Sequence, residues 1–378
     1  MRSRFPPTRF SLACCLALLL LITANSTRLA PVAYARAHGP GQADDAVSVS
    51  VLGLFHPREF VVTAPPGRAL ILHAGEQSVV LENSGVSSAT VRIDASELIV
   101  SAEGQELRST KVAVAGRGNE SADFTLEIPG KIRRQYHGTL EIRPASANLL
   151  SIVTLDLETA VASVVAAESA PDTPLEALKA QAVAARSYFV AGQGRHRDFG
   201  FCDTTHCQFL RAAPPPGSRV VAAVEATRGL VLAYEAKSFA PMYTRSCGGR
   251  TRTPAQVGLP AAAYPYFPVD CQYCRRHPVR WTSSIPEHQA GSLRASDETS
   301  RLAVARHIGW SAVPSNDFSL AKDGDRVLLT GVGNGHGIGL CQAGAGAMAE
   351  SGAGFQEILL HYYPNSDIVR HSGPNRSE

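Results

Sequence analysis

Four groups of residues carry side chains able to do chemistry, and the first is a single carboxyl. Glu168 follows Val161, Val164 and Val165 at helical spacing, which places it on the apolar face of a helix over 155–168, at its C-terminal end. Burial and the negative end of the helix dipole both disfavour the ionised form, so the pKa rises. A raised carboxyl is what a general acid for glycosidic cleavage needs near neutral pH. A terminal Glu that caps the helix or faces water fits the same pattern, and periodicity alone favours that plainer reading. The second group is His196, Cys202, His206 and Cys207, within twelve residues. Two imidazoles and two thiolates are the donor set of a tetrahedral zinc site, here as a tight loop clamp and not a finger. A Cys202–Cys207 disulfide beside two unrelated histidines is the competing reading.

The third group is Gly331-Val332-Gly333-Asn334-Gly335-His336-Gly337-Ile338-Gly339, with Cys341-Gln342 close behind. Glycine at every second position strips one face of an extended segment, letting a sugar ring or another backbone approach. The alternative is a glycine face packed under a helix. The segment has neither the Lys-Ser/Thr of a phosphate loop nor the dinucleotide spacing. The fourth is Ser246-Cys247-Gly248-Gly249, where a Ser or Cys nucleophile facing His336 is conceivable; the nucleophile-elbow spacing and a third triad member are both missing. Cys271-x-x-Cys274 has no thioredoxin-like context and reads as a redox pair, a disulfide or part of a metal site, with a structural role favoured.

These groups need a frame. From Val47 to Pro144 short alternating runs are separated by turn signals such as Pro65-Pro66-Gly67 and Gly116-Arg117-Gly118, the pattern of a β-rich region. From Leu155 the period becomes helical. Thr173-Pro174-Leu175-Glu176 combines a capping box with Pro at the first helical position, opening a long amphipathic helix to about Phe189. Its expected buried stripe is Leu175, Leu178, Ala182, Ala185 and Phe189, bordered by Gln181 and Tyr188 on one side and Lys179 and Arg186 on the other. Strand-like runs return at Val220-Val221, Leu230-Val231-Leu232 and Val327-Leu328-Leu329, and a short helix spans Phe355 to Tyr363. The fold class is α+β: a β-rich region over 47–135, then a mixed α/β region over 136–370 whose long helix flanks the cleft. Residues 371–378 read as a polar, disordered tail.

The N-terminal stretch looks like a targeting signal. Arg2, Arg4 and Arg9 precede an uncharged segment from Phe10 to Thr27, and Ala35-Arg36-Ala37 supplies a cleavage pattern. Residues 1–37 thus read as a secretory signal peptide, with an N-terminal anchor as the alternative, and 38–46 as a linker. The signal holds five of the 36 basic residues and no acid, so processing leaves 31 against 33 acids and turns a net charge of +3 into −2. That excludes bulk-charge binding to nucleic acid. Six of the eight cysteines remain.

Taken in order, the blocks resemble the SpoIID/LytB family, named for stage II sporulation protein D. The resemblance covers about Tyr136–Ile368. It runs through Tyr136-His137-Gly138-Thr139-Leu140-Glu141-Ile142, Val164-Val165-Ala166-Ala167-Glu168, Pro174 to Arg186, Asp203-Thr204-Thr205-His206-Cys207-Gln208, Gly248-Gly249, Gly335-His336-Gly337-Ile338-Gly339 with Gln342, and His361-Tyr362-Tyr363-Pro364. It implies an exported lytic transglycosylase of the periplasm or cell wall, acting on peptidoglycan glycan strands, preferably peptide-stripped, with Glu168 as the catalytic acid. It also implies structural zinc at His196, Cys202, His206 and Cys207, no cofactor for the chemistry, and a cell-wall amidase as a possible partner. Gln181, Arg186, Gln208, Ser246, Gly248, Gly249, His336 and Gln342 are the candidate substrate contacts, Arg186 for the lactyl carboxylate. A non-catalytic amidase enhancer is the rival reading, and a Cys247/His336 peptidase a distant third. The chain departs from the family pattern at Ser169, where Met is usual, at Cys247 and Cys341, where many relatives have Ser, and near Val257-Gly258, where Trp-Gly is missing. A Cys247–Cys341 disulfide joining the two glycine-rich blocks is the hypothesis this departure raises.

Overall fold

Alternating burial organises the first half of the chain. In the computed structural model, which describes residues 46–82 and 85–371, eleven strands occupy the region before the first α-helix. They are β1 (Ala46–Ser50), β2 (Glu59–Thr63), β3 (Ala69–Ala74), β4 (Gln77–Glu82), β5 (Ser88–Asp94), β6 (Glu97–Ala102), β7 (Gln105–Ser109), β8 (Val112–Ala115), β9 (Ala122–Ile128), β10 (Ile132–Ala145) and β11 (Asn148–Asp156). The expected signal segment, the linker up to residue 45 and the tail beyond His371 lie outside the described residues. Among the described residues no helix is long and apolar enough to cross a membrane.

These strands and one later pair of residues, β12 (Phe201–Cys202), form one large sheet in the order β12-β1-β11-β10-β9-β2-β5-β6-β7, with β8 on β10 and β3-β4 beyond it. Every pairing is antiparallel except β12 on β1. The fourteen-residue β10 changes partners partway along. Residues up to Gly138 pair with β9, and from Thr139 they pair with β11 and β8. Gly138 makes this switch possible: its φ is +137°, and a Cβ there would collide with the Thr154 carbonyl. The boundary expected between residues 135 and 136 falls inside this strand. One apolar core runs from Val47 through Tyr136 and Leu140 to Val224.

Helix α1 (Leu157–Glu168) starts directly off β11, with Asp156 Oδ1 accepting the Thr159 N–H at 2.9 Å. Helix α2 (Leu175–Ala191) follows. It is buried almost all round from Ala180 to Phe189, beyond the single stripe that its period suggests, because its alanines let neighbours approach on several sides. Leu175, expected inside, is 38% exposed on the opening turn. The expected capping box does not form. Pro174 takes the N-cap position without a side-chain bond, and Glu176 turns instead to Lys179 Nζ at 2.6 Å and to the Phe355 N–H at 2.9 Å.

Val220-Val221 lie in helix α3 (Arg219–Ala226), not in a strand: the turn at Pro214–Gly217 leads to Ser218, whose Oγ caps the Val221 N–H at 3.3 Å. β13 (Leu230–Tyr234) packs on α2, between β14 (Lys237–Ser238) and the last strand of the chain. β15 (Tyr243–Thr244) leads to α4 (Gln272–Arg276). A separate three-stranded sheet, β16 (Arg280–Pro286), β17 (Phe318–Asp323) and β18 (Arg326–Val332), carries its own small core with α5 (Glu287–Ala290) and α6 (Glu298–Ile308). Parallel pairing of β19 (Leu340–Cys341) with β15 sets up α7 (Gln342–Glu350); α8 (Phe355–Tyr362) and β20 (Asp367–Arg370), paired with β13, complete the fold.

Candidate active site

The end of α1 meets the opening of α2 and the N-terminus of α7 around a cleft of about 280 Å³. Glu168, Gln181, Arg245, Tyr273 and Gln342 line it. Val161, Val164 and Val165 are buried, as the helical phase requires, and Glu168 comes one turn later where that face opens into the cleft. Burial pushes its carboxyl above the ordinary range, offset in part by the Phe209 N–H, which donates to Oε1 at 3.3 Å, and by the charges of Arg211 and Arg245. Asp172 and Glu350, the other acids of the lining, are exposed.

Gln342 ties the cleft walls together. Its Nε2 donates to the Glu168 carbonyl at 3.2 Å and to Gln181 Oε1 at 3.4 Å, joining α7 to α1 and α2. This leaves Gln181 Nε2, buried on the cleft wall, without a protein acceptor. Gln208 sits one step back: its Oε1 accepts from Tyr243 Oη at 2.9 Å, and its Nε2 donates to the Ala185 carbonyl at 3.4 Å.

The remaining expected substrate contacts lie elsewhere. Arg186 is fully buried on the opposite side of α2, where Nε and Nη2 donate to the two oxygens of Glu158 at 2.9 and 2.6 Å. It also donates to the carbonyls of Leu230 and Val224, so its fork is filled and cannot serve a carboxylate in the cleft. Its helical phase alone does not reveal Glu158, the partner that claims it. Ser246 is buried and backbone-paired with Asn334. Gly248 and Gly249 border a second, open depression of about 570 Å³ with Arg250, Arg252 and Asp317.

His336 is half-buried, with Nδ1 accepting the Ile338 N–H at 3.0 Å, and burial lowers its pKa. The glycines around it do not present an extended bare face. Gly333, Gly335, Gly337 and Gly339 all take positive φ, and the segment lies against the backbone of 242–248. A Cβ on Gly335 would stand 2.5 Å from Thr244 Oγ1. The close approach is therefore to another stretch of backbone.

His196, Cys202, His206 and Cys207 do converge. One donor atom from each lies within 4.8 Å of all the others. His196 Nε2 is 3.4 Å from Cys207 Sγ, and His206 Nδ1 is 3.6 and 3.8 Å from the two sulfurs. Both cysteines are free thiols. The loop is anchored from below by Asp203, whose Oδ2 accepts from the Leu52 N–H at 3.2 Å, Arg134 Nη1 at 3.0 Å and Tyr136 Oη at 3.4 Å. The residues immediately after the cluster, Gln208 and Phe209, reach Tyr243 and Glu168.

Sequence reasoning missed Arg245 and Tyr273, which line the cleft, the Phe209 N–H that reaches Glu168, and Tyr243 behind Gln208. Arg245 directly precedes the Ser246-Cys247 block, and its charge there was the available signal; the others are assembled by the fold.

A profile described as SpoIID, stage II sporulation protein, matches residues 145–234, which include α1, α2 and the His/Cys loop. An uncharacterized protein of Brachyspira hyodysenteriae is 30% identical over 275 residues, 64% of this chain and 74% of that one. Stage II sporulation protein D of Bacillus amyloliquefaciens is 28% identical over 261 residues, covering 58% of this chain and 75% of the relative. The amidase enhancer of Bacillus subtilis is 24% identical over 273 residues, 52% of this chain and 38% of the relative.

Proposed function

The chain belongs to the SpoIID family, and from that premise we propose that it is an exported lytic transglycosylase that cleaves peptidoglycan glycan strands, preferably peptide-stripped, with Glu168 as its acid and base. The observation that carries this reading is a desolvated carboxyl opening into the cleft, with no second buried acid among the lining residues. Glu168, protonated, gives its proton to the oxygen between N-acetylmuramic acid and N-acetylglucosamine as positive charge develops at C1. The carboxylate then takes the proton of the muramic C6 hydroxyl, whose oxygen closes on C1 and leaves a 1,6-anhydro end. No water enters, so the paired carboxylate of an inverting hydrolase has no task here.

The Phe209 N–H and Arg245 stabilise the carboxylate between the two transfers. Gln181 Nε2, lacking a protein acceptor, suits a sugar N-acetyl carbonyl, and Arg245 takes the lactyl-carboxylate role that the sequence suggested for Arg186. The donor set and convergence of His196, Cys202, His206 and Cys207 fit one zinc ion. Its contribution is structural: it would hold the loop that presents Gln208 and Phe209.

The test is incubation with peptide-free glycan and mass spectrometry of the products. Anhydromuramic ends are expected from the native protein, with a loss of roughly 10²–10⁴-fold in Glu168→Gln. Hydrolysed reducing ends would refute the lytic step. The similarity to an amidase enhancer supports a second reading, in which the cleft binds glycan for a partner amidase. That reading gains if native protein yields no anhydro product while Glu168→Gln still stimulates an amidase.

A further inference from the structure

The His/Cys loop uses two of the six cysteines of the described chain, and the other four meet at a different place. Cys247, Cys271, Cys274 and Cys341 are all buried, all free, and bring their sulfurs within 4.8 Å of one another. They come from three separate segments: the turn after β15, the N-terminal end of α4, and β19 at the N-cap of α7. We propose that these four sulfurs form a second metal site, binding one zinc ion as a tetrathiolate.

The geometry favours a single ion over disulfides. A regular tetrahedron with Zn–S bonds of ~2.3 Å has edges of ~3.8 Å. Cys274 and Cys341 stand 3.5 Å apart, and every sulfur is near every other. Two disulfides require two separate pairs, not four sulfurs around one point. A four-iron cluster would need its sulfurs spread much farther apart than a single ion does.

The surroundings suit thiolates. The Cys247 N–H donates to Cys341 Sγ at 3.4 Å, Tyr362 Oη donates to Cys271 Sγ at 3.6 Å, and Ser246 Oγ lies 3.4 Å from Cys274 Sγ. Donors of this kind orient metal-bound sulfur and spread its charge. Gly344, in the first turn of α7, lets that helix close on the group: a Cβ there would be 2.5 Å from Cys271 Sγ. Cys341 is the N-cap residue of α7, which puts one of the sulfurs at the positive end of that helix's dipole.

The site also explains why the departures at Cys247 and Cys341 occur together with Cys271-x-x-Cys274. Each segment that carries a ligand also supplies a cleft residue. Arg245 is two residues before Cys247, Tyr273 lies between Cys271 and Cys274, and Gln342 follows Cys341. One ion would clamp all three onto a common base behind the cleft wall. The inference stands on the cysteine cluster and does not depend on the reaction proposed above.

Cobalt tests it with the full chain. In Cys202→Ser/Cys207→Ser, which disables the other cluster, one Co2+ per chain is expected, with intense sulfur-to-cobalt charge-transfer absorption and tetrahedral visible bands. Adding Cys271→Ser/Cys274→Ser should abolish both. Failure of the first variant to bind Co2+, or a spectrum without thiolate bands, overturns the proposal. Should either variant fail to fold, alkylation of native protein under non-reducing conditions decides. The four thiols should label only after a chelator is added. Disulfides among them, or labelling that the chelator does not change, overturns the site.

Discussion

Glu168 makes the protein less stable where it is ionised. Its carboxyl is raised by burial, so the folded state holds the proton over a pH range in which the unfolded chain has released it. The stabilising contribution is therefore full below the ordinary carboxyl range and is lost as pH rises through the raised value. Glu168→Gln, neutral at every pH, should melt at a higher temperature than the native protein at pH 7 and at nearly the same temperature in acid. A melting temperature at pH 7 that is unchanged or lower would show that the carboxylate is well accommodated as a charge. Under the proposed mechanism the same proton governs activity: initial rates on glycan should fall as pH rises through that value, with the alkaline limb assigned to Glu168. Gln342 acts differently, holding the Glu168 carbonyl and Gln181 in place. Gln342→Ala should cost roughly 10- to 100-fold in kcat/KM, about 1.4–2.7 kcal/mol, measured on peptide-free glycan. Helix phase placed the carboxyl on the apolar face but favoured a plain capping Glu there; the ordered blocks of the family resemblance were what singled it out. The Phe209 N–H was not legible in sequence, since a backbone donor carries no side-chain signature and reaches Glu168 only through the folded loop.

At the scale of elements, α1 and α2 are held by the buried pair Glu158–Arg186 and by the sheet beneath them. Glu158→Ala leaves a fully buried guanidinium without its carboxylate and should cost roughly 3–5 kcal/mol, read from the denaturation midpoint. Glu158→Leu/Arg186→Met should recover much of that loss, because two apolar groups leave no charge unpaired. Gly138→Ala forces a side chain into positive φ against the Thr154 carbonyl. It should cost about 2 kcal/mol or more and lower the melting temperature by several degrees. Much of this architecture was readable. The strands over 47–144, α1 and α2 follow from their periods, while β11 was not read and the helical state of Val220-Val221 was hidden because a β-branched pair scores as strand until Ser218 is known to cap it. Leu175 was misplaced for a similar reason. A helical wheel gives the face, but only tertiary contacts decide how far along the helix that face remains covered.

At the scale of the whole molecule, the two regions that composition separates are joined by backbone pairing. β1 (Ala46–Ser50) pairs with β11 on one side and with β12 on the other, so the N-terminal strand lies between the root of α1 and the His/Cys loop. The Leu52 N–H and Ser50 carbonyl both bond Asp203, which anchors that loop. β10 starts against β9 and ends against β8 and β11, and one apolar core spans both regions. Composition could not reveal this, because alternation shows that a strand exists without showing which strand lies beside it. A fragment beginning at Tyr136 lacks β1–β9 and residues 132–135 of β10, exposing β11 and leaving Asp203 without the Leu52 N–H and Arg134. That fragment should fail to fold independently, giving poorly dispersed amide resonances and no zinc at His196, Cys202, His206 and Cys207. The protein spanning 46–378 should instead unfold without β1–β9 and α1–α3 separating into distinct calorimetric transitions. A folded, glycan-cleaving fragment from Tyr136 onward would show that the shared sheet is dispensable and that the cleft is built by α1, α2 and α7 alone.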